Sequence, residues 1–422
     1  MRRNVVSEMA DSLIGSEIIK LGNEINERIA AGEHIFNFTI GDFDPKIFPI
    51  PQELEDEIVK AYKQKQTNYP PANGIGELRK SIASFMSKRL GLEYTADEIL
   101  VTSGARPAIY AAYITLLDKG DKVIYPTPSW NNNHYCHLSG ATGIAVETKP
   151  ENNFLPTAEE LAPHIGEATM LALCSPLNPT GTSFTKKALQ EICGLVANEN
   201  KKRVATGRKP LYLLYDQIYW VLTYGDTVHY DPVRLFPELR PYTVYIDGLS
   251  KSFAATGVRV GWTFGPKEIV DKMKAILSHI GAWAPKAEQV ASARYMNNDA
   301  AVDAFLETFK QHIQLRLEGF YKGLQRLKHE GYKVDAISPQ SAIYLTVQFA
   351  LKGMKTPSGE TLQNTAEIAD YLLHEAKVAI VPFYAFGSDK TSDWFRLSVG
   401  TSKENEIDRA IGNVKAALDK LS

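Results

Sequence analysis

The chain has 422 residues, 44% of them hydrophobic and 23% charged, with 47 basic and 49 acidic side chains for a formal charge of −2. Such a length can bury a full core, and with no basic tract or aromatic-interleaved basic stripe the sequence gives no support to nucleic acid or an anionic membrane as partner. Cys136, Cys174 and Cys193 are too few and too irregularly spaced for a disulfide framework or a zinc site; no apolar run is long enough to span a bilayer, and Glu8, Asp11 and Glu17 interrupt any signal-peptide core, so a cytoplasmic location is expected.

In chain order, residues from about 8 to 32 read as a helical segment. ILVTSG (99–104) then leads into a helix over Ala105–Leu116. KVIYPTP (122–128) precedes a segment ending at Gly140, and GIAVET (143–148) is a further short strand. MLALCSP (170–176) passes through NPTG to a helix starting near Thr185. LYLLYD (211–216), TVYID (243–247) and VRVGWTFG (258–265) follow. Short β-rich runs alternating with helical patterns predict an α/β unit around a largely parallel sheet, buried on both faces. The period then changes: Phe305, Phe309, Ile313, Leu317, Phe320, Leu324 and Leu327 recur every three or four residues, one face of a long helix. Beyond Gly331, strands such as SAIYLTVQF (341–349) and WFRLSVG (394–400) suggest a smaller α+β unit, with a boundary near 300.

Ligands of such sheets gather beyond the carboxyl ends of the strands, and conspicuous residues fall there. Gly104-Ala105-Arg106 opens a helix, where free N–H groups suit a phosphate but equally suit ordinary capping. Trp130 reads as either core or site, Asn178 as part of a turn, and Asp216 as a helix cap or a functional carboxylate. Lys251, in DGLSKSFAATGVRVGW, puts an amine at the end of a buried strand, with Arg259 eight residues on. Lysine is seldom fully buried without a partner or a task. Each residue has a structural explanation of its own; their arrival at successive strand ends does not.

IGDFDP (40–45), NPTG, YDQIY, SKSFAATGVRVG and FRLSVG (395–400), in this order, resemble the class I/II aminotransferases, the fold-type I family that uses pyridoxal 5′-phosphate (PLP). The resemblance implies an α/β fold: a large domain with a seven-stranded, mostly parallel sheet plus a smaller α+β domain. It divides the chain into an N-terminal segment (1–50) packing with the small domain, a large PLP-binding domain (51–300) and a small C-terminal domain (301–422). It also implies a homodimer with shared active sites and small-molecule amino acid and 2-oxo acid substrates.

Residue by residue, the resemblance gives Lys251 the Schiff-base link to PLP and the proton transfers at the substrate α-carbon. Partial burial and Arg259 are expected to depress its pKa. Asp216 faces the ring nitrogen and keeps it protonated; Asn178 and Tyr219 hold the phenolic oxygen; Trp130 stacks on the ring. Gly104, Ala105, Arg106 and Arg259 cradle the phosphate, and Tyr69 in NYPPANGIGELR reaches it from the neighbouring subunit. Arg396 pairs with the substrate α-carboxylate and Gly41 closes over it. Arg106 stands where one subgroup carries a lysine that contacts a distal carboxylate; it either does the same or lies on the exposed side of the helix. One departure is Gly248, where many relatives have a phosphate-binding serine; Ser250, in a segment read as extended, is expected to point elsewhere. The function implied is ping-pong transamination with acidic or aromatic donors of aspartate type. PLP-dependent lyase chemistry and a non-catalytic PLP-binding regulatory protein are the alternatives.

Overall fold

A computed structural model describes residues 5–15 and 17–422. The strands in chain order are β1 (Phe36–Asn37), β2 (Ile99–Thr102), β3 (Lys122–Thr127), β4 (Thr142–Glu147), β5 (Met170–Cys174), β6 (Tyr212–Asp216), β7 (Thr243–Gly248) and β8 (Gly261–Phe264), then β9 (Val334–Ala336), β10 (Tyr344–Phe349), β11 (Val378–Ala379), β12 (Val381–Pro382) and β13 (Trp394–Ser398). Seven of them form one sheet in the order β2-β8-β7-β6-β5-β3-β4, in which only β8 runs against the others. These are the seven runs that alternate with helices in the sequence.

The sheet is covered on both faces along its central strands, which divide their side chains between two apolar layers. Leu213 and Tyr215 pack into one, Leu214 into the other; Tyr245 opposes Val244 and Ile246 in the same way. That is why these runs are almost continuously apolar rather than alternating. Helices Ala105–Leu116 and Lys267–Ile280 cover one face.

The second sheet is antiparallel throughout, in the order β12-β13-β10-β9. The helix expected from the three–four spacing runs over Asp299–His329 and buries Phe309, Ile313, Leu317, Phe320, Leu324 and Leu327. Its N-cap is Asn298, whose side chain accepts from Ala301 N–H. Residues 36–38 reach this region: β1 pairs with β11, and Ser398 N–H donates to the Phe38 carbonyl. The N-terminal helical segment is not continuous. Helices Glu8–Asp11 and Glu17–Ala30 are separate, with residues 13–15 outside any helix. Among the described residues no helix is long and apolar enough to cross a membrane.

Candidate active site

Reversing β8 puts its amino end beside the carboxyl ends of the other six strands, and a cavity of about 540 Å³ opens along that edge. The size suits a cofactor with a small substrate. Ala105, Arg106, Trp130, Asn178, Asp216 and Tyr219 line it, as do Lys251 and Arg259; Gly41 and Arg396 close it from the second sheet's side. Gly104 lies just behind, as the residue preceding the helix that begins at Ala105. Tyr69 is elsewhere: it is 81% exposed on the surface, with its ring edge-on to Trp283.

Lys251 sits in the helical turn Leu249–Ser252 that follows β7, and its Nζ donates to the Gly41 carbonyl at 2.7 Å. Burial holds its pKa down to about 8; Arg396, Arg106 and Arg259 push the same way, and Asp42 opposes them. The arginines act in that order, so Arg259 is the weakest of the three. The helical turn also revises the expectation for Ser250. Neighbouring side chains here do not alternate as in a strand, and Ser250 lines the cavity beside Lys251.

Asp216 ends β6. One carboxylate oxygen accepts from Ile218 N–H at 3.0 Å, and among the described residues no cation pairs with it. Burial therefore raises its pKa to about 6. A carboxylate kept from water and cations in this way suits a cationic N–H donor from a ligand. Tyr219 shares a 2.7 Å hydrogen bond with the hydroxyl of Tyr344.

Arg396 lies mid-strand in β13 and is 1% exposed. Its Nη1 donates to Asn178 Oδ1 at 3.0 Å and its Nη2 to the Thr39 carbonyl at 2.6 Å, both neutral acceptors, while Nε has no partner among the described residues. With its carbonyl oxygen engaged, Asn178 has its NH₂ left to donate. Arg106 is different: it is exposed at the cavity rim, forms no hydrogen bond or ion pair with the described residues, and lies 5.2 Å from the Trp130 ring.

Beside the helix start, Arg259 is pinned to backbone, Nη1 to the Thr256 carbonyl at 2.7 Å and Nη2 to the Ser103 carbonyl at 2.9 Å. The glycines here are a matter of space. A Cβ on Gly104 would lie 2.1 Å from Arg259 Nη2, one on Gly261 would lie 2.4 Å from the Gly104 carbonyl carbon, and one on Gly248 would lie 2.9 Å from Gly261 Cα. Gly248 is thus the residue this corner accepts, and a serine there would move backbone.

Sequence reasoning missed Asp42 and Tyr344. Asp42 adjoins Gly41 in IGDFDP, so its proximity was a usable signal; Tyr344 begins an apolar strand and looks like core.

The family model for aminotransferase class I and II matches residues 33–414. The chain belongs to that family. It is an aminotransferase of fold type I. The chain is 33% identical to an aspartate aminotransferase of Geobacillus stearothermophilus, with 93% of each chain covered. It is 30% identical to a probable aspartate/prephenate aminotransferase of Rickettsia felis over 99% of this chain and 98% of the relative. In structure it matches the aspartate aminotransferase of Rhizobium meliloti with a TM-score of 0.90, at 28% identity and 99% coverage of both chains.

Proposed function

We propose that this aminotransferase carries PLP on Lys251 and moves amino groups between acidic amino acids and 2-oxo acids. The observation that carries the reading is the cavity's set of charges unmet among the described residues: an amine depressed to about 8, a carboxylate raised to about 6 with no cation beside it, and a buried guanidinium with only neutral partners. PLP fits them. Its ring nitrogen is the cation Asp216 lacks, its phosphate suits the N–H groups at Ala105 together with Arg259, and its aldehyde suits Lys251. When bound, it supplies an electron sink for a carbanion at the substrate α-carbon.

The protein's own groups do the rest. Lys251, neutral in part at ordinary pH, takes the α-proton and returns it. Asp216, already largely ionised near neutral pH with a pKa of about 6, is held more fully so by the cation it faces and keeps the ring nitrogen protonated. Asn178 Nδ2 and the Tyr219 hydroxyl donate to the ring's phenolic oxygen, and Trp130 fixes the ring's tilt. Arg396 grips the α-carboxylate with a planar fork, beside Gly41. Arg106, an unpaired cation on the rim, meets the distal carboxylate of an aspartate-like donor. The names of the Geobacillus and Rickettsia relatives support this choice over aromatic donors. Tyr69, exposed in one chain, supports a homodimer in which it reaches the neighbour's phosphate. The two sheets support a two-lobed division, 51–300 and 301–422, with residues 1–50 joined to the second lobe through β1 and β11.

Borohydride reduction of the PLP-loaded protein followed by peptide mapping tests the reading. A pyridoxyl label on Lys251 is the expected result; a label elsewhere, or none, overturns it.

A further inference from the structure

Tyr344 is a buried polar side chain lining the cavity to which the reading above gives no task. Its hydroxyl is 2.7 Å from that of Tyr219, and the two rings meet edge to face with centroids 5.6 Å apart. The phenol is firmly placed. Gly181 of the NPTG turn abuts the Tyr344 carbonyl so closely that a Cβ there would lie 2.1 Å away. Thr346 Oγ1 on the same strand donates to the Thr180 carbonyl at 2.8 Å, and Ser341 N–H donates to the Gly181 carbonyl at 2.9 Å. Other groups facing Tyr344 are the Arg396 guanidinium, 4.7 Å from its ring centroid, the Asp42 carboxylate and the Cys174 thiol.

Each phenol has one proton, so at 2.7 Å one hydroxyl donates and the other accepts. If Tyr219 gives its proton to the bound cofactor's phenolic oxygen, it cannot also give it to Tyr344. Tyr344 must then donate, and a phenol that accepts a hydrogen bond becomes the stronger donor in turn. We infer that Tyr344 is a positioning residue that directs the Tyr219 proton toward the cofactor and sets the proton affinity of the cofactor chromophore through that second hydrogen bond. The inference rests on the assignment of Tyr219 to the phenolic oxygen. A donor there stabilises negative charge on that oxygen and opposes protonation of the chromophore, so weakening the donor raises the chromophore's pKa.

The test is a spectrophotometric pH titration of the PLP-loaded enzyme in four forms: unmodified, Tyr344→Phe, Tyr219→Phe and the double variant. Tyr344→Phe should raise the chromophore pKa by roughly half a unit to one unit. Tyr219→Phe should raise it further, and Tyr344→Phe should add nothing in the Tyr219→Phe background. Difluorotyrosine at position 344 keeps the ring and hydroxyl but donates more strongly, so it should move the pKa down; it also serves if Tyr344→Phe fails to fold. The inference falls if neither change at 344 moves the titration, or if Tyr344→Phe shifts it equally in both backgrounds. A Tyr219→Phe titration identical to the unmodified enzyme would instead remove the Tyr219 assignment, and the inference with it.

Discussion

Arg396 and Lys251 face one cavity from opposite sheets, the first from the middle of a strand and the second from a turn beyond a strand's end. Arg396 is held by its neighbours at every level. Its backbone is flanked by β10 and β12, and its guanidinium is fastened to Asn178 and Thr39. Among the described residues Lys251 makes a single side-chain hydrogen bond, to the Gly41 carbonyl, from a flexible stem in a four-residue helical turn. A group that grips the same carboxylate in every donor gains from rigidity. A group that must bond to a cofactor, release it and carry a proton needs freedom and a pKa near neutrality. The two sheets supply these separately.

The contrast breaks most visibly at Lys251. Lys251→Met should lower turnover by about 10⁴-fold, as expected for losing the proton-transfer group, while binding of an unreactive dicarboxylate, measured by calorimetry, stays close to normal. Loss of binding along with turnover would mean that Lys251 belongs to the grip. Arg396→Lys is the converse. It keeps the charge but not the planar fork, so KM should rise about 10²-fold for acidic and aromatic donors alike in steady-state assays. Arg106→Met sharpens the comparison, because Arg106 is an exposed cation with no hydrogen bond or ion pair among the described residues. It should cost aspartate about tenfold in kcat/KM and change phenylalanine less than about threefold; equal losses would end its assignment to a distal carboxylate.

The smallest effect is thermodynamic. In the cofactor-free protein the Lys251 pKa is about 8 against 10.5 for an ordinary lysine, so between those values the unfolded chain binds more protons than the native one. Stability from this group therefore rises with pH across that window, and below about 8 the protein bears the full cost of a buried charge. Cofactor-free Lys251→Met should melt a few degrees higher than the parent at neutral pH. The gap should close as pH rises from about 8 past 10.5; a gap independent of pH would place its origin in packing.

How much was legible follows the same division. Residues at the strand ends stood out because a charged or amide group follows a run such as LYLLYD or MLALCSP, and a largely parallel sheet could be read from the runs themselves, while its count of seven strands came with the resemblance. Arg396 was legible only through the resemblance that FRLSVG carries. Tyr344 was not, since an aromatic in a strand is the usual sign of core and only its hydroxyl's neighbour tells otherwise. The direction of Ser250 was misjudged because nothing in GLSK distinguishes one turn of helix from extended chain. The order of the charges around Lys251 was also hidden: Arg396 lies 145 positions away in sequence yet acts on it more strongly than Arg259.

Gly104, Gly248 and Gly261 touch one another or Arg259 with no space for even a methyl group. This corner is accordingly closed to gradual remodelling, because a first added carbon displaces main chain at Gly248 or Gly261 and the Arg259 guanidinium at Gly104. Variants with altered anion affinity would have to arise at Ala105 or Ser250, which line the cavity, so that growth meets the opening and not the wall.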